Sequence, residues 1–274
     1  MKKVVFVTGG SKGIGGAIAC EFASRGADVA IFARGQKDLD SALARLQDIK
    51  ILDDQKFAAF RMDVTDPKSV DSSIADAIKE LEVPDVLVNN AGLARPRYFE
   101  DITIEQFDRT IRTNLCGVWY VTSSVVPHMK ERGGYIVNVS SLAGFMGVFG
   151  YSDYAASKFG VMGLTLSLRS ELKSHGITVS ALCPPDTDTP GFEEENKEKP
   201  VETKALSENA KVMDAQDVAR SLISGMRRKK PVIITGFDGN MIYLANRVFP
   251  RLVEFIMDMT IRKVQKKKEA HLTG

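Results

Sequence analysis

The stretch "KVVFVTGGSKGIG", Lys3 to Gly15, decides the fold. Its first half is a short β-branched apolar run, the pattern of a strand buried on both faces, and it stops at a glycine turn. A helical span, Gly13 to Arg25, follows without a linker. Glycines at 9, 13 and 15 let the backbone turn tightly and approach a pyrophosphate, whose charge then faces the free N–H groups of the helix N-terminus. Ser11, Lys12 and Ile14 complete that turn. Glycine-rich turns alone carry little information, because ordinary βα connections use them too; the strand-turn-helix order supplies the missing context.

The same alternation continues outward almost to the end of the chain. Strand-like runs are "KVVFVTG" (Lys3 to Gly9), "DVAIFA" (Asp28 to Ala33), "FAAFRMDV" (Phe57 to Val64), "PDVLVNNAG" (Pro84 to Gly92), "GGYIVNVSS" (Gly133 to Ser141), "ITVSALCP" (Ile177 to Pro184) and "PVIITG" (Pro231 to Gly236). Helical spans lie between them, for instance Ala155 to Ser174 and Ala215 to Arg228. Right-handed crossovers between such runs predict an α/β fold: a doubly wound, parallel, seven-stranded sheet with helices on both faces, in one domain over residues 1–274.

Composition narrows the function. The 274 residues are 44% hydrophobic, enough for a sizeable core, and the formal charge of +2 speaks against a nucleic-acid binder with a basic surface. Cys20, Cys116 and Cys183 form no CxxC pair, which suits structural roles in a reducing compartment. His128, His175 and His271 form no HExxH and no cluster with the cysteines, so no metal is expected. The start "MKKVVFVTGG" reads as a buried strand rather than an export signal, and no apolar run reaches the ~18 residues of a spanning helix. An intracellular, cytoplasmic location is the expectation.

An acidic residue at the end of the second strand would accept hydrogen bonds from an adenosine ribose 2′-hydroxyl. This chain reads "IFARG" there, with Arg34 and no carboxylate, and Lys12 adds a positive charge in the glycine turn. An arginine fork matches a phosphate, so the pair predicts NADP(H). "MDV" sets Asp63 and Val64 toward the adenine, and "NNAG" brings Asn90, Ala91 and Gly92 to the nicotinamide ribose.

Further along, "YAASK" places Tyr154 and Lys158 four residues apart, on one face of a helix. An ammonium beside a phenol lowers the phenol's pKa, which fits Tyr154 to proton transfer near neutral pH. Ser141, at a strand end, is placed to hydrogen-bond a substrate carbonyl; Ser140 points to the other side of the strand, and Tyr151 lacks a partner lysine and reads as pocket lining. "TGGSKGIG", "NNAG", "RTNLCG", "NVSS" and "YAASK" occur in an order and spacing that resembles the short-chain dehydrogenase/reductase family over about the first 190 residues. The resemblance implies a Rossmann-type ketoreductase with a catalytic tetrad of Asn114, Ser141, Tyr154 and Lys158. In it Asn114 holds a water linking Lys158 to solvent, and Tyr154 and Lys158 also contact the cofactor. Homodimers or homotetramers are implied too, pairing through helices that begin near Glu105 and Tyr154.

After the sixth strand the chain reads "CPPDTDTPGFEEENKEKP", Cys183 to Pro200. The family carries a Pro-Gly pair and a threonine over the nicotinamide here. By resemblance Pro184 keeps the first place, Pro185 replaces the glycine, and the threonine maps to Thr189, with Thr187 as the alternative. The acidic run has the composition of a mobile lid, about residues 185–212, that orders with ligand. The stretch is similar to the corresponding segment of the 3-ketodihydrosphingosine reductases, which implies NADPH-dependent reduction of a long-chain sphingoid ketone; as a separate expectation, Glu193, Glu194 and Glu195 meet its amine. The rivals are another ketone, such as a 3-oxoacyl thioester or a steroid, and a non-catalytic NADP(H)-binding protein.

From about residue 238 to 274, Met241, Leu244, Ala245, Val248, Leu252, Phe255, Ile256 and Met259 recur at three-to-four spacing, broken by Pro250. Arg247, Arg251, Arg262, Lys263 and Lys266 to Lys268 accompany them. Such an extension suits peripheral contact with an anionic membrane face, that of the endoplasmic reticulum in a eukaryote, and equally suits packing on the domain or a second subunit.

Overall fold

The computed structural model describes residues 3–208 and 211–273, with side chains as far as residue 268. Every run expected as a strand is one. Among the described residues, β1 (Val4–Thr8), β2 (Asp28–Ala33), β3 (Phe57–Arg61), β4 (Val86–Asn89), β5 (Gly134–Val139), β6 (Ile177–Cys183), β7 (Thr187–Asp188), β8 (Met213–Asp214) and β9 (Val232–Ile234) occur in chain order. Seven form one sheet in the order β3-β2-β1-β4-β5-β6-β9, all parallel, and β7 pairs separately with β8. The helices are α1 (Gly13–Ala23), α2 (Gln36–Asp48), α3 (Pro67–Leu81), α4 (Ile104–Ile111), α5 (Gly117–Met129), α6 (Ser152–Glu171), α7 (Pro190–Glu198), α8 (Val201–Ser207), α9 (Ala215–Arg227), α10 (Phe237–Val248) and α11 (Pro250–Thr273).

The pleat of β1 shows how the layers form. Val5 and Val7 pack with Ile18 and Phe22 of α1 and Val218 and Leu222 of α9, while Val4 and Phe6 pack with Val70 and Ile74 of α3 and Val121 and Val125 of α5. Successive side chains of a strand face opposite sides, so an unbroken apolar run needs cover on both. Each such side chain, fully buried, stabilises the fold by about 1.5–3 kcal/mol.

Two strands end earlier than their apolar patterns suggest, and side chains stop them. After Met62 the Asp63 carboxylate accepts from Thr65 N at 2.9 Å and closes a turn. After Asn89 the backbone N–H groups of Asn90 and Ala91 turn to the Thr8 hydroxyl, at 3.0 and 3.1 Å, and leave the sheet.

The lid segment is helical rather than a loop. Thr189 caps α7 by accepting from Phe192 N at 3.1 Å, with Pro190 at the first helical position. Tyr98 donates to Glu202 of α8 at 2.9 Å, Thr203 donates to the Phe149 carbonyl at 2.8 Å, and α11 packs across α8. Residues 209 and 210 of the expected lid lie outside the described residues. Pro250 opens α11, and Met241, Leu244, Val248, Leu252, Phe255, Ile256 and Met259 stay exposed along α10 and α11. Gly274 and the side chains from 269 onward lie outside the described residues. No helix among them is long and apolar enough to cross a membrane.

Candidate active site

The strand order reverses between β1 and β4, the place where an open α/β sheet leaves a crevice beyond its carboxyl ends. A cavity of about 1310 Å³ occupies that crevice. Its cofactor wall is mostly backbone. Gly13 has a φ of +57°, a left-handed conformation, and a Cβ on Gly15 would stand 2.3 Å from both the Gly9 carbonyl oxygen and Asn90 Nδ2. Asn90 Nδ2 donates to the carbonyls of Thr8 and Gly9 at 3.1 and 3.2 Å, which ties the end of β4 to the glycine turn. Arg45 Nη2 fixes the turn from the other side through the Ser11 carbonyl at 2.7 Å. Backbone N–H groups at the start of α1, closed to side chains at these glycines, fit a dinucleotide pyrophosphate.

Gly9, Ser11, Lys12, Gly13, Ile14, Arg34, Asp63, Val64, Asn90, Ala91, Gly92, Tyr154, Lys158, Pro184, Thr187 and Thr189 all line the cavity. Gly15 stands behind the wall, where its missing side chain allows the Gly9 and Asn90 contact. Arg34 is exposed at its place after β2. Lys12 carries a partner the sequence did not suggest: Asp38 Oδ2, at 3.1 Å, with both groups largely exposed. Such a surface pair contributes about 0–1 kcal/mol, which a phosphate readily displaces. Thr187 donates to the Pro185 carbonyl at 2.8 Å, and the Thr189 methyl borders Gly13.

The residues expected to be catalytic come from α6, the end of β5 and a turn between α4 and α5. Buried Asp153 accepts from Tyr154 N at 2.8 Å and from Thr110 of α4 at 2.8 Å, which anchors the first turn of α6. One turn on, Lys158 Nζ donates to the Val139 carbonyl at 2.9 Å and lies 5.5 Å from the centre of the Tyr154 ring. Ser141 Oγ accepts from Ala143 N at 3.2 Å and bears on the Tyr154 phenol, while buried Ser140 turns away and donates to the Lys158 carbonyl at 3.1 Å. Asn114, fully buried, sits in a π-helical turn, Arg112–Cys116, behind the wall. Its Oδ1 accepts from Leu93 N at 2.9 Å, and its Nδ2 donates to the Leu93 carbonyl at 2.9 Å and to Ser157 Oγ at 3.0 Å. Single π turns inside helices are frequent at functional sites.

Electrostatics here run against the simple expectation. The Tyr154 phenol is pushed well up, by burial first and then by the Glu195 and Asp186 carboxylates, with Ser141 pulling it down. Burial holds the Lys158 amine down at about 8, and its Nζ donates to the Val139 carbonyl. Tyr154 is therefore a phenol, ready to donate a proton.

The facing wall joins Tyr151 and Glu195, both singled out in the sequence, to Asp186, Phe192 and Lys199, which were not. Tyr151 donates to Glu195 Oε1. Lys199, whose side chain is only 2% exposed, lies 3.4 Å from both Glu195 Oε1 and Asp186 Oδ2, and 4.3 Å from the centre of the Phe192 ring. Of the three consecutive glutamates only Glu195 turns inward; Glu193 and Glu194 are exposed. Phe237 and Ile242 of α10 and Met257 of α11 complete an apolar side. No periodicity marks these positions, since the charged residues that meet, with Tyr151 and Phe192, come from the start of α6, the turn after β6, and α7 with the residue that follows it.

Comparison with known proteins extends this picture. A 3-dehydrosphinganine reductase of Danio rerio is 40% identical over 240 residues, 87% of this chain and 72% of that protein. A 3-oxoacyl-[acyl-carrier-protein] reductase of Staphylococcus aureus is 39% identical over 185 residues, 67% of this chain and 74% of that protein. The solved structure of a short-chain dehydrogenase from Sphingobium yanoikuyae in complex with NADPH superposes with a TM-score of 0.73 at 31% identity, covering 84% of this chain and 87% of that one. Together with the glycine turn, these relatives make the chain a nicotinamide-dependent oxidoreductase that acts on a ketone. Residues 3–200 match the family model for short chain dehydrogenases, and by that match over most of its length the chain belongs to the short-chain dehydrogenase/reductase family.

Proposed function

We propose that this chain uses NADPH to reduce the 3-keto group of 3-ketodihydrosphingosine, giving dihydrosphingosine for sphingolipid synthesis. The carrying observation is reach. Similarity to the Danio rerio 3-dehydrosphinganine reductase covers 240 residues, more than the span 3–200, so it takes in chain beyond the general family region. The match to the acyl-carrier-protein reductase covers 185.

Reduced nicotinamide, when bound, supplies a hydride to the carbonyl carbon. The rest of the chemistry belongs to the chain. Ser141 Oγ orients the carbonyl, and Tyr154 gives its proton to the oxygen as negative charge develops there. Lys158 returns a proton to the phenolate. Asn114 holds Leu93 and Ser157, and so keeps α6 against the cavity wall. Arg34 and Lys12 bind the 2′-phosphate, which selects NADPH over NADH. Asp63 and Val64 meet the adenine; Asn90, Ala91, Gly92, Pro184, Thr187 and Thr189 enclose the nicotinamide end.

The 1–274 unit works as one catalytic domain in an intracellular compartment, with residues 185–212 as its lid. Exposed Phe107 on α4, Trp119 on α5 and Phe159 and Leu166 on α6 support a homodimer or homotetramer joined through those helices. The exposed apolar row of α10 and α11, with its arginines and lysines, supports peripheral contact with an anionic membrane.

The test is NADPH consumption by the purified protein with 3-ketodihydrosphingosine, beside a 3-oxoacyl thioester and a steroid ketone, repeated with NADH. Preferential turnover of the sphingoid ketone with NADPH is the expected result. Preference for another ketone would leave the fold and the tetrad standing but remove the substrate.

A further inference from the structure

Resting on the reading above, the substrate places demands on the cavity beyond proton transfer. Its amine sits on the carbon next to the carbonyl. With the carbonyl oxygen at Tyr154 and Ser141, a positive charge must therefore lie beside the catalytic phenol, and a buried cation needs an anionic partner.

The wall facing Tyr154 holds such a partner. Glu195 and Asp186 both act electrostatically on the Tyr154 phenol. Glu195 is held beside it by Tyr151, whose ring centre is 5.6 Å from that of Tyr154. The two carboxylates share a single ammonium, Lys199, at 3.4 Å from each. Two negative charges against one positive leave the cluster one short. The Glu195 side chain is only 14% exposed, and burial raises its pKa, as an incompletely compensated carboxylate requires. Tyr151 and Lys199 both approach the same oxygen, Oε1.

We propose that Glu195, through Oε2 and with Asp186 in support, is the ammonium-recognising residue of this cavity and sets its preference for ketones that carry a neighbouring amine. Lys199 keeps the lid closed over the carboxylates and leaves the remaining charge to the ligand. A consequence follows for the chemistry. The ligand's ammonium offsets the carboxylates that hold the Tyr154 proton, so an amino ketone makes its own proton donor more acidic.

The experiment compares two substrates at saturating NADPH: 3-ketodihydrosphingosine, and the same long-chain ketone with hydrogen in place of the amine. The readout is the ratio of their kcat/KM values in the wild-type protein, Glu195→Gln and Asp186→Asn. The ratio falls at least about tenfold in Glu195→Gln, mainly through KM for the amino ketone, and less in Asp186→Asn. An unchanged ratio in both variants, or an equal loss on both ketones, makes the cluster a lid latch and overturns the assignment. Wild-type protein that reduces the amine-free ketone but not the amino ketone would instead remove the proposed substrate, a result that needs neither variant.

Discussion

Along the cofactor wall the contacts are made by backbone: a glycine turn, two strand ends, and the Asn90 amide on the carbonyls of Thr8 and Gly9. Along the proposed substrate wall they are made by side chains from the start of α6, the turn after β6, and α7 with the residue after it, where Tyr151, Asp186, Glu195 and Lys199 meet. A backbone surface tolerates few residue types, because a Cβ in the wrong place collides, and it serves a cofactor that does not change. A side-chain surface is easily rewritten by substitution. On the proposed reading, the first wall accounts for what the protein shares with a large family, and the second for what it selects.

The sharpest way to break that division is at Tyr154, which stands between the walls. Tyr154→Phe removes the proton donor and should lower kcat by about 10³-fold, within the usual range for general acid catalysis. Nicotinamide binding, followed by fluorescence titration, should persist. Loss of binding with turnover would mean that the phenol is part of the cofactor wall instead. Next in size is Arg34→Ala, which should weaken NADPH by about 10- to 100-fold and leave NADH nearly unaffected, as removal of a charge-assisted phosphate contact predicts. An equal loss for both cofactors would place Arg34 outside the 2′-phosphate site. Gly15→Ala tests the backbone wall directly. The added methyl would stand 2.3 Å from the Gly9 carbonyl and Asn90. It should cost about 1–3 kcal/mol of stability, read by denaturant unfolding, with weaker cofactor binding.

How much of this was legible in the sequence follows from the same division. Gly9, Gly13, Asn90 and the Tyr154–Lys158 spacing are local: a turn, a strand end and one helical face require those residue types, so the motif carries the geometry. The parallel strands were legible because their apolar runs have no polar face. The Tyr154 pKa was not, because it is raised first by burial and then by Glu195 and Asp186, all of which the tertiary fold sets. The helical form of the segment expected as a lid was not legible for a related reason. The composition of "GFEEENKEKP" suggests a solvated loop, but the Thr189 cap and buried Lys199 give the segment a helical, partnered interior that no composition reports.

Lys158 gives a smaller and continuous test. Its amine is held at about 8 by burial, so it is mostly an ammonium below that pH and mostly neutral above it. In the proposed mechanism reduction consumes a proton that Lys158 returns to Tyr154, so reductive kcat/KM should fall as pH rises through about 8, approaching tenfold per unit beyond it. A flat profile to about pH 9.5, on the order of one and a half units above that value, would detach Lys158 from the proton path.

The smallest effect is expected at Tyr98→Phe, and it bears on how the substrate wall is held. The Tyr98 hydroxyl donates to buried Glu202 at 2.9 Å, one of the bonds that fasten α8 to the body of the fold. Removing a single hydrogen bond to buried Glu202 should cost about 1–2 kcal/mol locally. The Thr203 bond to Phe149 and the packing of α11 on α8 remain, so global unfolding should shift little. The loss should appear instead as faster proteolysis within residues 190–207 and a higher KM for the long-chain ketone, with NADPH binding unchanged. If NADPH binding weakened in step, the two walls would be mechanically coupled, and the side-chain wall would be part of the cofactor site as well as its cover.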